Sequence, residues 1–560
     1  MKKILFILAA AATVFAACTS PGNKPGLPEK VKPSRNVIFM LTDGTSTSLF
    51  ATARWYQRYM KDSLDKPLYL DPYICGLVQS RLSDAIIPDS APGMSGYMCG
   101  VPSRVGNISI YPEPHPGQDV LPTDPDKAWQ PAATVLEAAK IKKGKAVGMV
   151  VTTIFPHATP AATAAHSALR SRYHDLGRQI ASQDLDVMFG GGTGILDDDM
   201  RSVIRANGAT LLEDDVEAFR AAKEGKVWAL FNENIMDFEI DRDPSDEPSL
   251  SEMTAKAIDI LSKDKDGFFL MIEGSKVDYG AHSKDPVEAI TEFIEFDKAF
   301  KVALDFARKD GNTTIVVTSD HGNSGITLGD ARYRQYAAKG LDSMFVGIKN
   351  CHTSSYKMAN LLKECRESEI MPMFKEHTGI DLKPSELNAI KSCMTRVEGD
   401  YMQVSSSSNL QSVICGIYTT RTHIGFTSGN HTGEDVFLAV YNPRGERPLG
   451  MLTNTQLNDY VCRELGFPSR TELEKLTGEI YVSHLQLFDG CGLEVVPGEE
   501  YPTLFVRKDG RQLRIPAFQS RVYYCENDGT EREVSTPCPA VYMVENGQFY
   551  LDRSLGGLFE

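Results

Sequence analysis

Short apolar runs rich in β-branched and large residues recur along the chain, separated by segments with the periodicity of amphipathic helices. That alternation predicts an α/β fold with a mostly parallel central sheet and helices on both faces. The runs Val37–Leu41, Ala146–Val151, Val187–Phe189, Phe268–Ile272, Thr314–Thr318 and Val436–Val440 read as strands. Between the fourth and fifth, Val287, Ile290, Phe293, Ile294, Phe300 and Leu304 fall at helical spacing behind Pro286, which predicts a crossover helix over Pro286–Ala307. Two regions break the rhythm. From about Asp330 to Thr427 the alternation is lost, and the helix-like, cysteine-containing stretch His352 to Arg396 reads as part of a long insertion standing over the top of the sheet. Past Phe467, a short helix over Thr471–Leu476 precedes strand-like runs separated by Lys508-Asp509-Gly510, Asn527-Asp528-Gly529 and Glu545-Asn546-Gly547. These hairpin turn signals predict a small β-rich appendage over residues 467–560.

The first residues follow another pattern. Lys2 and Lys3 precede an apolar run from Ile4 to Ala17, and small Ala16 and Ala17 stand before Cys18. This is the layout of an export signal, and a cysteine placed there resembles the lipobox of bacterial lipoproteins, in which that cysteine is acylated. The expectation is a signal peptide over 1–18, a Pro/Gly/Lys-rich tether over 19–35, and an exported protein, periplasmic or held at the outer membrane through lipidated Cys18. An ordinary cleaved signal near the same point is the alternative.

Composition narrows the function classes. The 560 residues suffice for a large core, and 59 Lys+Arg against 74 Asp+Glu leave a net charge of −15, which argues against a broad nucleic-acid footprint. An anionic substrate then needs a local positive centre. Setting Cys18 aside leaves ten cysteines and no CxxC pair, so a thiolate zinc site is not indicated, and the thiols read as buried small groups or structural bridges.

Ligands of open α/β sheets bind beyond the carboxyl ends of the strands, and the residues there form a set. Asp43 follows the first run, Glu273, Asp278 and His282 the fourth, and Asp320-His321 the fifth, while His431 sits just before the sixth. Each alone has an ordinary reading, a helix cap for the aspartates or a surface residue for the histidines. Together, four carboxylates and three histidines on one edge crowd negative charge that bound cations would neutralise. Mixed His/Asp donors favour zinc, and an all-oxygen corner favours magnesium. Ser90, in Asp89-Ser90-Ala91-Pro92-Gly93, is a candidate nucleophile; no GxSxG elbow surrounds it, which leaves activation by a metal. A segment opening at His157-Ala158-Thr159-Pro160 ends in Arg170 and Arg172, candidates for an anion clamp.

In this order the blocks resemble the alkaline phosphatase family, from about Asn36 to Gly466 with the insertion at about 330–427 set aside. The resemblance implies a phosphomonoester hydrolase that works through a phosphoserine intermediate with two zinc ions and one magnesium. It implies Ser90 as nucleophile and Arg170 as phosphate clamp. Asp278, His282 and His431 would hold one zinc, Asp43, Asp320 and His321 with Ser90 the other, and Asp43, Thr159 and Glu273 the magnesium. His157 and Asp89 are candidates for a further ligand or for supporting the ligands. Small phosphomonoesters are the implied substrates, and a homodimer is the common family assembly. The sequence departs from the family at Thr45-Ser46 after Asp43-Gly44, at Pro92-Gly93 after the Asp-Ser-Ala block, at His157, and at Tyr279, where other members offer Lys or His. A phosphodiesterase or sulfatase of the same superfamily is one rival, disfavoured because the Cys/Ser-x-Pro-x-Arg context of sulfatases is absent at Ser90. A non-enzymatic surface binding module is the other.

Overall fold

The computed structural model describes residues 26–63, 65–330 and 340–559. The expected leader, Cys18, the first part of the tether and residues 331–339 of the insertion lie outside the described residues. Ten strands form the central sheet: β1 Asn36–Thr42, β2 Ile74–Gln79, β3 Ala146–Ile154, β4 Val187–Gly191, β5 Ala209–Glu213, β6 Lys226–Leu230, β7 Phe268–Gly274, β8 Thr313–Thr318, β9 Val436–Tyr441 and β10 Gly450–Thr453. Their spatial order is β10-β2-β9-β8-β1-β7-β3-β4-β6-β5. Only β9 runs against the rest, antiparallel to both β2 and β8.

All six predicted strands are present. The central ones read clearly because both their faces are buried: along β1, Ile38 and Met40 enter one core, while Val37, Phe39 and Leu41 enter the other. Strands β2, β5, β6 and β10 escaped the sequence reading. In β2, next to the β10 edge, Ile74 and Leu77 are each 37% exposed, so no continuous apolar run marks it. The crossover helix spans Pro286–Asp310; Asp285 caps its start by accepting from the Val287 and Glu288 amides, and Gly311, at φ +71°, ends it.

Among its described residues the insertion holds five α-helices, Asp342–Lys349, Ser355–Leu361, Ile370–Thr378, Pro384–Ser392 and Ser407–Thr422. A three-stranded antiparallel sheet, Glu364–Arg366, Met394–Glu398 and Tyr401–Val404, joins them. Its Phe345, Met358, Ile414 and Tyr418 share one core with Phe293 and Phe300 of the crossover helix. Ser355 ties the two together, its amide donating to Asp285 Oδ2 (2.9 Å) and its hydroxyl to Glu288 Oε1 (3.0 Å). The insertion therefore extends the helical layer on one face of the sheet, where the sequence reading placed it over the top.

The C-terminal region is β-rich, as expected. After the helix Thr471–Ile480, the strands Gly492–Val496, Thr503–Lys508, Arg511–Pro516, Arg521–Cys525 and Glu531–Ser535 form a five-stranded meander. A three-stranded sheet, Val482–Ser483, Val541–Met543 and Gln548–Leu551, lies with it, and Leu504, Val506, Leu513, Ile515, Val522 and Phe549 fill a common core. Asp509 (φ +51°) and Gly510 (φ +79°) make the two-residue turn between paired Lys508 and Arg511.

One expectation needs correction. Residues 26–35, read as tether, are fastened to the body. Gly26 and Leu449 exchange backbone hydrogen bonds (2.7 and 3.1 Å), Leu27 and Val31 pack on the core, and Ser34 donates to buried Glu464 (2.8 Å). The tether expected over 19–35 therefore does not extend past residue 25, and residues 19–25 lie outside the described residues. The ten described cysteines are all free thiols, so of the two readings left open the buried small group holds for most of them. Among the described residues no helix is long and apolar enough to cross a membrane.

Candidate active site

Parallel strands deliver the residues that follow them to one edge, and the reversed strand delivers the residues that precede it. Leu41 of β1 pairs with Glu273 of β7 and with Thr318 of β8, which sets Asp43, Glu273 and Asp320 at one level. Because β9 is antiparallel, the loop before it reaches the same edge and carries His431 there. Backbone pairing of His431 with Asn323 and of Thr432 with Gly322 fixes this loop, and the His431 ring stacks on His321 at 3.7 Å between centroids. At Gly44 (φ +63°) any Cβ would run into Asp278, so the turn after β1 requires glycine.

Three groups of donors result, each with atoms mutually within 4.8 Å: Asp278, His282 and His431; Asp43, Asp320 and His321; and Asp43, His157 and Glu273. In the first, His282 Nε2 lies 3.3 Å from Asp278 Oδ2 and 3.1 Å from His431 Nε2. His282 Nδ1 faces the Gly429 carbonyl (2.8 Å), His431 Nδ1 the Pro88 carbonyl (2.9 Å) and His321 Nδ1 the Gly322 carbonyl (3.1 Å). A carbonyl only accepts, so each Nδ1 donates, and in the neutral ring each Nε2 is left with a lone pair aimed inward. Two facing lone pairs 3.1 Å apart call for a cation between or beside them.

The carboxylates make the same demand. Asp43, Glu273 and Asp320 are fully buried, and both oxygens of Asp43, both of Glu273 and Oδ2 of Asp320 have no hydrogen-bond partner, nor has Thr159 Oγ1. Orphaned buried oxygens in this number are not sustained without compensating positive charge. Burial, then the neighbouring Asp320, Asp278 and Glu273 carboxylates, push Asp43 well above the usual carboxylate range. Burial together with the Asp320 and Asp278 charges pushes Glu273 up to about 8. Asp278 goes the other way: although burial opposes it, His282, His321 and His431 hold it well below the usual range. His282 is raised to about 8 by Asp278 against its own burial.

Ser90 is the first residue of the helix Ser90–Met98 and is 2% exposed, with Oγ 3.1 Å from His321 Nε2. Arg170 ion-pairs with Asp89 Oδ1 and reaches to 3.3 Å from His157 Nε2, while Asp89 Oδ2 accepts from the Gly106 amide (3.2 Å). Asp89 is thus the partner of Arg170 and lies outside the three donor groups. Arg172 is not at the centre; its guanidinium pairs with Glu545 of the C-terminal region. The Tyr279 hydroxyl sits 3.2 Å from Thr153 Oγ1, near the third group. Two supporting residues went unnoticed in the sequence. Asn323 donates Nδ2–H to Asp278 Oδ1 (2.6 Å), and Ser319 Oγ accepts from the Thr45 amide (2.9 Å). Their signal was proximity to Asp320-His321 in the chain.

Carboxylates and imidazoles arranged for cations, beside a serine and an arginine at the carboxyl edge of a parallel sheet, define the class: a hydrolytic α/β enzyme with a metal-type centre. The alkaline phosphatase family model matches residues 34–466, and the chain belongs to that family. Alkaline phosphatase 3 of Bacillus subtilis (strain 168) is 30% identical over 487 residues, covering 83% of this chain and 97% of its own. The repressible alkaline phosphatase of Saccharomyces cerevisiae is 29% identical over 76% of this chain and 79% of its own. Among solved structures, the cold-active alkaline phosphatase of Shewanella sp. shares the fold with a TM-score of 0.66 at 24% identity, over 77% of this chain and 99% of that one. The Thermus thermophilus alkaline phosphatase does so with 0.66 at 23%, over 81% and 97%. The chain is an enzyme of this family, a phosphoric monoester hydrolase.

These electrostatics predict how a metal-stripped protein responds to pH. Glu273 holds its proton in the fold up to about pH 8 but loses it near 4.5 when unfolded, so stability falls as pH rises between those values. His282, raised from 6.5 to about 8, contributes stability that is complete below 6.5 and lost as pH passes 8, in the same direction. His157, lowered to about 3 by burial and by Arg170, and His431, lowered by burial and by His321, oppose this trend up to about pH 6.5, so thermal midpoints of chelated protein should drop from pH 6.5 to pH 8, and restoring divalent metal ions should remove most of that drop. A chelated protein whose midpoint rises over this range contradicts the account.

Proposed function

We propose that the protein hydrolyses small phosphomonoesters through a phosphoserine at Ser90, with two zinc ions and one magnesium ion at the three donor groups. The observation that carries this reading is the convergence of unpartnered buried oxygens on Asp43, Glu273, Asp320 and Thr159 beside the Ser90 hydroxyl. Asp278, His282 and His431 suit one zinc, and Asp43, Asp320 and His321 the other, each with mixed N/O donors and no thiolate. Asp43, Glu273 and Thr159, with His157 alongside, offer the mainly oxygen set that suits magnesium. Bound there, the cations would supply Lewis-acid stabilisation of the serine oxygen and the leaving oxygen and would make a water nucleophilic near neutral pH.

The chain's own residues do the rest. Arg170, held by Asp89, presents its fork to two non-bridging phosphate oxygens, and Ser90 at a helix N-terminus meets an environment that favours negative charge. Ser90 Oγ gives up its proton and bonds to phosphorus as the P–O ester bond breaks, and the departing oxygen takes up a proton and leaves as the alcohol. Water then gives up a proton as its oxygen bonds to the same phosphorus, the P–Oγ bond breaks, and Ser90 Oγ regains a proton as inorganic phosphate is released. The backbone carbonyls of Gly429, Pro88 and Gly322 hold the three imidazoles in the tautomer that leaves Nε2 free.

We also propose that the protein is exported, cleaved before Cys18 and lipidated there. Lys2, Lys3, the Ile4 to Ala17 run and Ala16-Ala17-Cys18 support this. With Gly26 fastened to Leu449, only residues 19–25 separate Cys18 from the body.

Ser90→Ala should abolish phosphoryl-enzyme formation while metal content stays that of the parent; normal steady-state turnover would remove Ser90 from the role. Arg170→Ala should lower monoesterase kcat/KM by about 10- to 150-fold, the equivalent of losing a charged contact of about 1.5–3 kcal/mol, and affect a phosphodiester far less. Equal losses on both substrates would show that Arg170 is not the clamp. For the location, membrane fractionation of the native protein and of Cys18→Ala should separate the two, the first with membranes and the second soluble; two soluble proteins would favour an ordinary secretory signal.

A further inference from the structure

The family match ends at Gly466, yet the region beyond it reaches back to the phosphate clamp. Arg170 does not sit on a helix or strand of the sheet. It lies in the irregular link, residues 165–172, between the helices Ala158–Ala164 and Tyr173–Ser182. On one side this link is tied to the loop after the Ser90 helix. The Arg170 amide donates to Gly106 O (2.8 Å), Asn107 Nδ2 donates to Ala168 O (2.9 Å), and Ser167 and Ile108 exchange backbone bonds. On the other side the C-terminal region holds it. Arg172 forms a two-pronged ion pair with Glu545, Nη2 to Oε1 at 2.8 Å and Nη1 to Oε2 at 3.4 Å, with the side chains 23% and 19% exposed.

Glu545 is itself well placed to be an anchor. It lies in the tight turn between the paired strands Val541–Met543 and Gln548–Leu551, where Asn546 Oδ1 accepts from the Gln548 amide (3.1 Å) and Asn546 Nδ2 donates to Tyr550 OH (2.9 Å). A second tie runs through the interior. Tyr481 OH lies 2.8 Å from Nε2 of fully buried His166, four residues before Arg170, and bonds to Glu137, while His166 Nδ1 donates to Ser109 O (2.7 Å). The chain segment bearing Arg170 is therefore clamped between the Ser90 side of the site and the β-rich appendage.

We infer that the C-terminal region sets the position of Arg170 through the Glu545–Arg172 pair and thereby tunes the grip on phosphate. Glu545 and Arg172 are positioning residues, acting through Arg170 and touching no substrate. The inference rests on Arg170 being the clamp. A planar fork must match two oxygens in angle as well as distance, so a small shift of its backbone weakens phosphate binding before it harms the fold.

The test uses full-length, metal-loaded enzyme and inorganic phosphate as the probe. Inhibition constants for phosphate, KM and kcat on one phosphomonoester, and thermal midpoints are measured for the parent, Glu545→Gln, Arg172→Gln, the exchanged pair Arg172→Glu/Glu545→Arg, Arg170→Ala and Arg170→Ala/Glu545→Gln. Glu545→Gln and Arg172→Gln should each raise the phosphate inhibition constant and KM by about three- to tenfold, the range of a coupling between contacting groups. The exchanged pair should recover most of that loss, and Glu545→Gln should add nothing once Arg170 is gone. Phosphate affinity unchanged in Glu545→Gln, whether or not the midpoint falls, overturns the inference, as does an equal further loss in the Arg170→Ala background. The two readings fail separately. If Arg170→Ala binds phosphate poorly while Glu545→Gln binds it normally, only the positioning role fails. If Arg170→Ala binds phosphate as the parent does, the clamp assignment fails and the inference falls with it.

Discussion

Asp43, Glu273 and Asp320 stand side by side at the carboxyl edge of three adjacent strands, wholly out of water and with most of their oxygens unpartnered. Left as anions, they repel one another in a medium that screens poorly; left protonated, they lose the charge that makes them useful. Cations resolve both problems at once, and much of the local structure makes sense as preparation for them. Gly44 lets the first strand turn close against Asp278, Asn323 orients that aspartate, and three carbonyls fix the imidazole tautomers. Of the three donor sets, the second and third share Asp43 and the first and second touch through the stacked rings of His431 and His321, so a change in one set is felt in the next.

The sheet topology is what permits this crowding. Strands β1, β7 and β8 are buried on both faces, and their parallel pairing delivers acidic residues to a single edge. The one reversed strand, β9, supplies the histidine that a parallel strand would have placed at the far end. The protein as a whole carries a charge of −15, so under the proposed function an anionic substrate gains nothing from the general field and depends on what this edge would concentrate: cations at the donor groups, a helix N-terminus and Arg170.

What the sequence reveals follows from range. Val37–Leu41 or Thr314–Thr318 can be read as strands because burial on both faces leaves an unbroken apolar run, and Asp43 and Asp320 can be picked out because they come directly after such runs. Strand β2 is half exposed, and Lys226 opens β6 with a charge, so neither shows that run. Asn323 owes its role to pairing with His431, more than a hundred residues away, and Glu545 meets Arg172 across 373 residues, contacts that no local pattern encodes. Residues 26–35 misled for a related reason: Pro, Gly and Lys mark a flexible composition, yet Gly26, Leu27, Val31 and Ser34 find partners only once the fold is assembled. The donor groups were legible because most of their residues follow strand ends; their supports were not, because they are defined by the neighbours the fold gives them.

The most direct test of the central claim is elemental analysis of the purified full-length protein, coupled to its turnover of a simple phosphomonoester as ions are removed and returned. Two zinc ions and one magnesium ion per chain, with turnover lost on chelation and regained as both metals are restored, are the predicted result. A protein that turns over the phosphomonoester at full rate with all ions removed would show that the buried carboxylates of this edge are not a metal centre, and the account would fail.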